Sequence, residues 1–229
     1  MKKLLLVLLF LFNALLGHAQ LTQNMGWLFI THQQKVNSKV NVLADVQLRS
    51  ANRYAYLTTL LLRSGLSYQL TNNHSVALGY AYKGDWDHEG TGTAYTLENR
   101  IFEQYLYKFS IGKTELNARA RLEQRWVKEE VVKFSQRARA FVSAQIPLFT
   151  DTAFTRGWYA GIQNELFVNI QHKERVNGYF FDQNRSMVSV GYRWSKKIDT
   201  ELGYLYWYQR ETDNAFRRNV VQLMITTQF

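Results

Sequence analysis

The stretch "ARARLEQRW" (residues 118–126) sets Arg119, Arg121, Glu123 and Arg125 between Ala118, Ala120, Leu122, Gln124 and Trp126. A period of two belongs to a β-strand, whose successive side chains point to opposite faces of the sheet. One face of this strand is a ladder of charge. The other is mostly aliphatic and aromatic. Such a strand either turns its charge to water and its apolar face to a core, or its apolar face to lipid and its charge to an enclosed interior.

The same period runs through most of the chain. Val40, Val42, Ala44, Val46 and Leu48 alternate with Asn41, Leu43, Asp45, Gln47 and Arg49. Leu60, Leu62, Leu66, Tyr68 and Leu70 alternate with Thr59, Arg63, Gly65, Ser67 and Gln69. Ser186, Val188, Val190, Tyr192 and Trp194 alternate with Arg185, Met187, Ser189, Gly191 and Arg193. Eleven strands are expected, over 27–34, 39–49, 55–70, 75–86, 98–111, 114–127, 135–147, 157–171, 184–195, 199–210 and 218–229. Many reach the ~9–11 residues that a tilted strand needs to cross a bilayer. One proline, Pro147, and 13 glycines in 229 residues leave few breakers, and 15% aromatic content favours strands.

The first residues stand apart. Lys2 and Lys3 precede the apolar run Leu4–Leu16, and Gly17, His18 and Ala19 follow with cleavage-site spacing. Residues 1–19 are expected to be a secretory signal peptide, and 20–229 a single domain. No cysteine occurs, which excludes a lipid-modified cysteine anchor, disulfides and thiolate metal sites. No later apolar run approaches the ~20 residues of a spanning helix. The net charge is +10, of which Lys2 and Lys3 supply two, leaving +8 beyond residue 19. For an exported chain that charge points to anionic lipid or lipopolysaccharide phosphate rather than nucleic acid.

Connections between the expected strands alternate in length. Those at 35–38, 71–74, 112–113 and 195–198 are short, and those at 87–97, 128–134, 172–183 and 211–217 are long. Short turns at one end and long loops at the other are the pattern of outer-membrane barrels. Residues 50–54 are short on the long side, and 149–156 long on the short side. Eleven is odd where such barrels carry an even number. Either Trp27–Gln34 lies outside the barrel or a strand is missed, so ten or twelve strands are expected.

Three features set the apolar face outward. The chain ends in Phe229 after Val221, Leu223, Ile225 and Thr227 at alternate positions, which resembles the C-terminal signal read by barrel assembly machinery. Tyr82, Trp86, Tyr192, Trp194, Tyr204, Tyr206 and Tyr208 gather toward strand ends on that face, as in interfacial girdles. Arginine facing lipid at the midplane costs ~2–4 kcal/mol, so three on one strand must face inward. The fold expected is therefore all-β, a transmembrane antiparallel up-and-down barrel of ten or twelve strands. Its lumenal polar network is Arg63, Arg100, Gln104, Lys108, Arg119, Arg121, Glu123, Arg125, Arg137, Arg139, Glu165, Arg185, Arg193 and Glu201. Glu123, Glu165 and Glu201 are its carboxylates. Arginine outnumbers them, which leaves guanidinium groups for water or an anion. Glu103 falls on the apolar face, which suggests a bulge or a rim position.

Four stretches carry a resemblance: "ENRIFEQ" (98–104), "RARLEQRW" (119–126), "NELFVN" (164–169) and "FDQNRSMVSVGYRW" (181–194). The chain resembles, over nearly all its length after residue 19, an outer-membrane barrel family known as domain of unknown function 2490. Asn99, Arg100, Glu123, Arg125, Asn164, Glu165, Asn184 and Arg185 match its pattern. The resemblance implies a barrel in the outer membrane of a Gram-negative cell, and no substrate, cofactor or catalytic residue.

The ladder has three readings: a closed structural filling, a narrow pore favouring anions, or a gate that switches pairings. An outer-membrane lipid-modifying enzyme or protease is the alternative from another class, and needs a nucleophile beside a base. Ser143 and Ser189 fall on the inner face, but His32, His74, His88 and His172 do not accompany them. A soluble exported barrel binding a small ligand is a further alternative. "DWDHE" (85–89) groups oxygen ligands that would suit calcium, without the spacing of a known loop. No enzyme activity, cofactor or metal is expected.

Overall fold

The computed structural model describes residues 22–89 and 92–229; the leader expected at 1–19 lies outside the described residues. Eleven strands close into one barrel, each hydrogen-bonded to its neighbours in the chain. They are β1 (Thr22–Lys35), β2 (Val40–Ser50), β3 (Leu57–Gln69), β4 (His74–Glu89), β5 (Gly92–Ile111), β6 (Thr114–Lys128), β7 (Val132–Thr150), β8 (Gly157–Gln171), β9 (Phe181–Ser195), β10 (Ile198–Arg210) and β11 (Ala215–Gln228).

Every consecutive pair is antiparallel, and β1 closes on β11 in parallel. An up-and-down barrel with an odd count must contain one parallel pair, because its first and last strands run the same way. That seam settles the parity question. The first segment does not lie outside: it starts at Thr22, pairs Trp27 with Arg49 of β2, and pairs Leu28 with Leu223 of β11. Thr22 and the C-terminal Phe229 consequently sit at opposite ends of the barrel.

The long loops expected at 87–97 and 128–134 are largely strand. β4 and β5 stay in register out to Glu89 and Gly92, and β6 and β7 out to Lys128 and Val132. What read as loop continues the alternation, with polar groups where the strands clear the apolar zone. Asp85 and Asp87 of "DWDHE" thus point inward while His88 packs outside on Tyr56, at 4.1 Å between rings. The barrel wall thus separates Asp85 and Asp87 from His88. Glu103 is neither bulged nor terminal. It sits exposed on the outer face opposite Leu122, in unbroken register, and accepts a hydrogen bond from Gln124.

The outer surface is aliphatic at mid-height, where Leu66, Leu78, Val142, Ile162, Val188 and Leu202 are each more than half exposed. Aromatic contacts gather above and below. Trp86–Tyr95, Trp126–Phe134 and Phe181–Tyr208 lie toward the 90–91 end. Tyr107–Phe109, Trp158–Tyr192 and Tyr192–Trp194 lie toward the 112–113 end. The interior is filled by side chains laid across small residues. Phe102 covers Gly79, where a Cβ would come within 2.3 Å of its ring, and Tyr159 covers Gly191, where a Cβ would come within 2.2 Å. Met25, Trp27, Met187, Leu205 and Val220 pack together along β1, β9, β10 and β11.

Candidate functional site

The interior has two unlike walls. The charge ladder is densest on β5 to β8 and extends to β2, β3, β4 and β9; β1, β10 and β11 contribute most of the aromatic and aliphatic groups just described. Period two brings the ladder together, and strand register decides which ions meet.

Glu123 lies at its centre, 1% exposed. It accepts from Arg137 Nη2 at 2.7 Å and from Arg139 Nη1 at 2.5 Å, with Arg121 Nη1 at 3.8 Å. Arg137 also reaches Asp182 at 2.8 Å, and Arg139 reaches Glu165 at 2.7 Å. Arg119 donates to the same Glu165 oxygen, Oε1, at 2.5 Å. One turn of charge higher, Glu98 accepts two bonds from Arg100, at 2.8 and 2.7 Å, and one from Arg125 at 2.5 Å. Arg63 pairs with Asp45 at 2.6 Å, and Lys83 pairs with Asp85. Arg121 donates to Gln104 and lies over Phe102, 4.4 Å from the ring centre.

Of the eight arginines that line the central cavity, two have no carboxylate within ion-pair distance among the described residues. Arg49 donates to Gln47 at 2.7 Å and lies 4.2 Å from the Trp27 ring centre. Arg185 donates to Gln183 at 3.2 Å and lies among Trp27, Phe167 and Trp207, at 5.1, 4.8 and 4.6 Å. In mid-barrel the six carboxylates Asp45, Asp85, Glu98, Glu123, Glu165 and Asp182 therefore face ten cations: the eight paired or bridged above and these two. Among the described residues, the middle of the barrel thus carries a surplus of positive charge.

Three expected residues stand apart from this network. Lys108 lies at the turn end. Arg193 forms its own cluster there with Glu115, Asp199 and Gln145. Glu201 is buried but meets no arginine; Tyr159 and Ser189 donate to it at 3.0 and 2.5 Å. Ser189 is thus committed to a carboxylate, and Ser143 accepts from Asn117 at 3.3 Å.

Several members escaped the sequence reading. Glu98 shares a face with Arg100 by simple parity and was legible in principle. Asp182 was not, because a register irregularity opposite Phe167 and Val168 turns it inward beside Gln183. Two connections also enter the barrel. In the turn at 151–156, which read as too long for its end, Phe154 is 4% exposed, packs on Tyr159 and offers its carbonyl to Arg193 Nη1 at 3.1 Å. At the other end Asn177 is 2% exposed and held by Asn169 and the Arg210 carbonyl.

Among the described residues, a run of four cavities leads through the interior. One of about 400 Å³ opens by Asn52, Tyr56 and Asp87. It shares Arg49, Lys83 and Trp207 with a central cavity of about 360 Å³. The central cavity shares Thr31, Arg63 and Arg119 with one of about 250 Å³. That one shares Lys108, Thr226 and Gln228 with a last cavity of about 610 Å³, beside Asn72 and Asn73 at the turn end. Each shared wall contains a cation.

The molecule is thus a closed barrel with a basic, ion-paired interior and an apolar surface flanked by aromatic groups. The chain belongs to the family described as Protein of unknown function (DUF2490), which matches residues 24–218. It is the family that the four quoted stretches resemble. No curated protein and no solved structure matches the chain.

Proposed function

We propose that the protein is an outer-membrane barrel that admits small anions to a narrow arginine-lined passage. The observation that carries this reading is the series of cavities whose dividing walls are Arg49 with Lys83, Arg63 with Arg119, and Lys108. Basic constrictions favour anions, and successive weak sites let an ion leave as well as enter. The aliphatic zone between two sets of aromatic groups supports a bilayer around the barrel, and lipopolysaccharide phosphate is a natural neighbour for its charge. Phe229, at the end of β11, is the group offered to assembly machinery.

A closed structural barrel is the second reading, favoured by the inward placement of Phe154 and Asn177. The two differ in flux. Location is tested first: the protein should fractionate with outer membranes and run faster on gels before heating than after. Liposomes holding the refolded protein should then leak chloride faster than potassium, and Phe154→Ala should raise the leak. Tight liposomes with both proteins would leave the structural reading. Periplasmic fractionation without a mobility shift would remove the membrane reading.

A further inference from the structure

We infer that the central cavity is a binding site for a small organic oxyanion, a carboxylate carried on a flat, ring-sized body. The inference deepens the reading above, because it rests on the same basic interior, and it names what that interior would hold.

The charge argument begins with Arg49 and Arg185. Both line the cavity and neither has a carboxylate partner among the described residues. Arg49 is 7% exposed, and its Nε has no hydrogen-bond partner; Arg125 Nη1, on the same cavity, has none either. A buried guanidinium without a counter-charge is costly unless something supplies one. Water can fill donors but not balance charge. An anion does both, and the planar guanidinium fork matches a carboxylate.

The shape argument comes from the remaining wall. Phe29, Phe141, Phe167 and Trp207 line the same cavity. These rings share the wall with guanidinium planes, Arg119 over Phe141 and Arg185 over Phe167 and Trp207, and a mixed wall of rings and arginine planes beside unpaired donors suits a ligand with one charged edge and a flat body, not a bare halide. A volume of about 360 Å³ lies at the small end of ligand cavities, ~300–1,000 Å³.

The test uses the full barrel refolded in an uncharged detergent, with calorimetric titration of sodium benzoate, acetate and chloride at fixed pH and ionic strength. Benzoate is expected to bind about tenfold tighter than acetate, because its ring buries against the aromatic wall. The pair of substitutions Arg49→Gln and Arg185→Gln should weaken benzoate about tenfold, since charge-assisted bonds are lost. Lys113→Gln, in the 112–113 turn, should change nothing. Arg185→Lys alone keeps the charge and removes the fork, so it should weaken benzoate without altering gel mobility; this arm holds even where the double variant fails to fold. Benzoate binding no tighter than chloride, or unchanged by Arg185→Lys, overturns the inference. Chloride flux without benzoate binding overturns this site and leaves the passage. Benzoate binding without flux leaves the site and removes the passage.

Discussion

Glu123 is the residue whose loss the interior can least absorb. It is the shared acceptor of Arg137 and Arg139 and lies beside Arg121. Glu123→Gln should lower stability by ~3–5 kcal/mol, as removal of one partner from a buried ion pair does. Arg185→Gln should change it by no more than about 1 kcal/mol, because it removes a buried charge that makes no direct ion pair among the described residues, Glu165 lying across the strand pair from it. Urea titration of the folded barrel, followed by gel mobility, reads both, and equal effects would contradict the pairing described. At the turn end, Asp151 accepts the Thr155 amide at 2.6 Å and also its hydroxyl. Those bonds hold its carboxyl below the usual aspartate range. A lowered pKa means that the cap is complete at neutral pH and is lost only as acid overtakes that lowered value. Phe154 follows in this turn with φ of 48°, a conformation that a phenylalanine holds only under constraint. Chloride leak should therefore stay flat from pH 7 to about pH 4 and rise below it, and Asp151→Asn should already show the acid level at pH 7.

At the scale of elements, the parallel seam between β1 and β11 makes the sharpest claim. Ile30 faces Ile225 across it. The chain has no cysteine, so Ile30→Cys with Ile225→Cys should form one oxidative cross-link, whereas Ile30→Cys with Thr227→Cys should not. Efficient cross-linking of the second pair alone would place β1 in another register. Most strands were legible in the sequence because outer and inner residues alternate without interruption, as in β2, β3, β6 and the part of β9 after Gln183. The inner face of the ladder followed from the same alternation. The seam was not legible: period two assigns a face, not a partner, and β1 meets β11 across nearly the whole chain. The β4–β5 extension was misread because its polar residues look like loop composition, although the strand register continues to Glu89 and Gly92. Asp182 and Phe154 depend on a bulge and a folded-in turn, where parity fails.

For the whole molecule, an odd strand count sets the start of β1 and the end of β11 at opposite ends. Thr22→Cys and Asp213→Cys should label together with a membrane-impermeant maleimide on intact cells, and Lys113→Cys only after the outer membrane is opened. Labelling of Thr22→Cys together with Lys113→Cys would require an even barrel. The surplus of interior arginine is the property that joins fold to proposed activity, since steering by net interior charge acts on every ion that enters. The most direct test is the reversal potential of the refolded protein in a planar bilayer across a potassium chloride gradient. The expected result is a potential displaced toward the chloride equilibrium value, reduced by Arg63→Gln with Arg119→Gln at the central wall. A potential displaced toward potassium, or one that these substitutions leave unchanged, would contradict an anion passage through the arginine ladder.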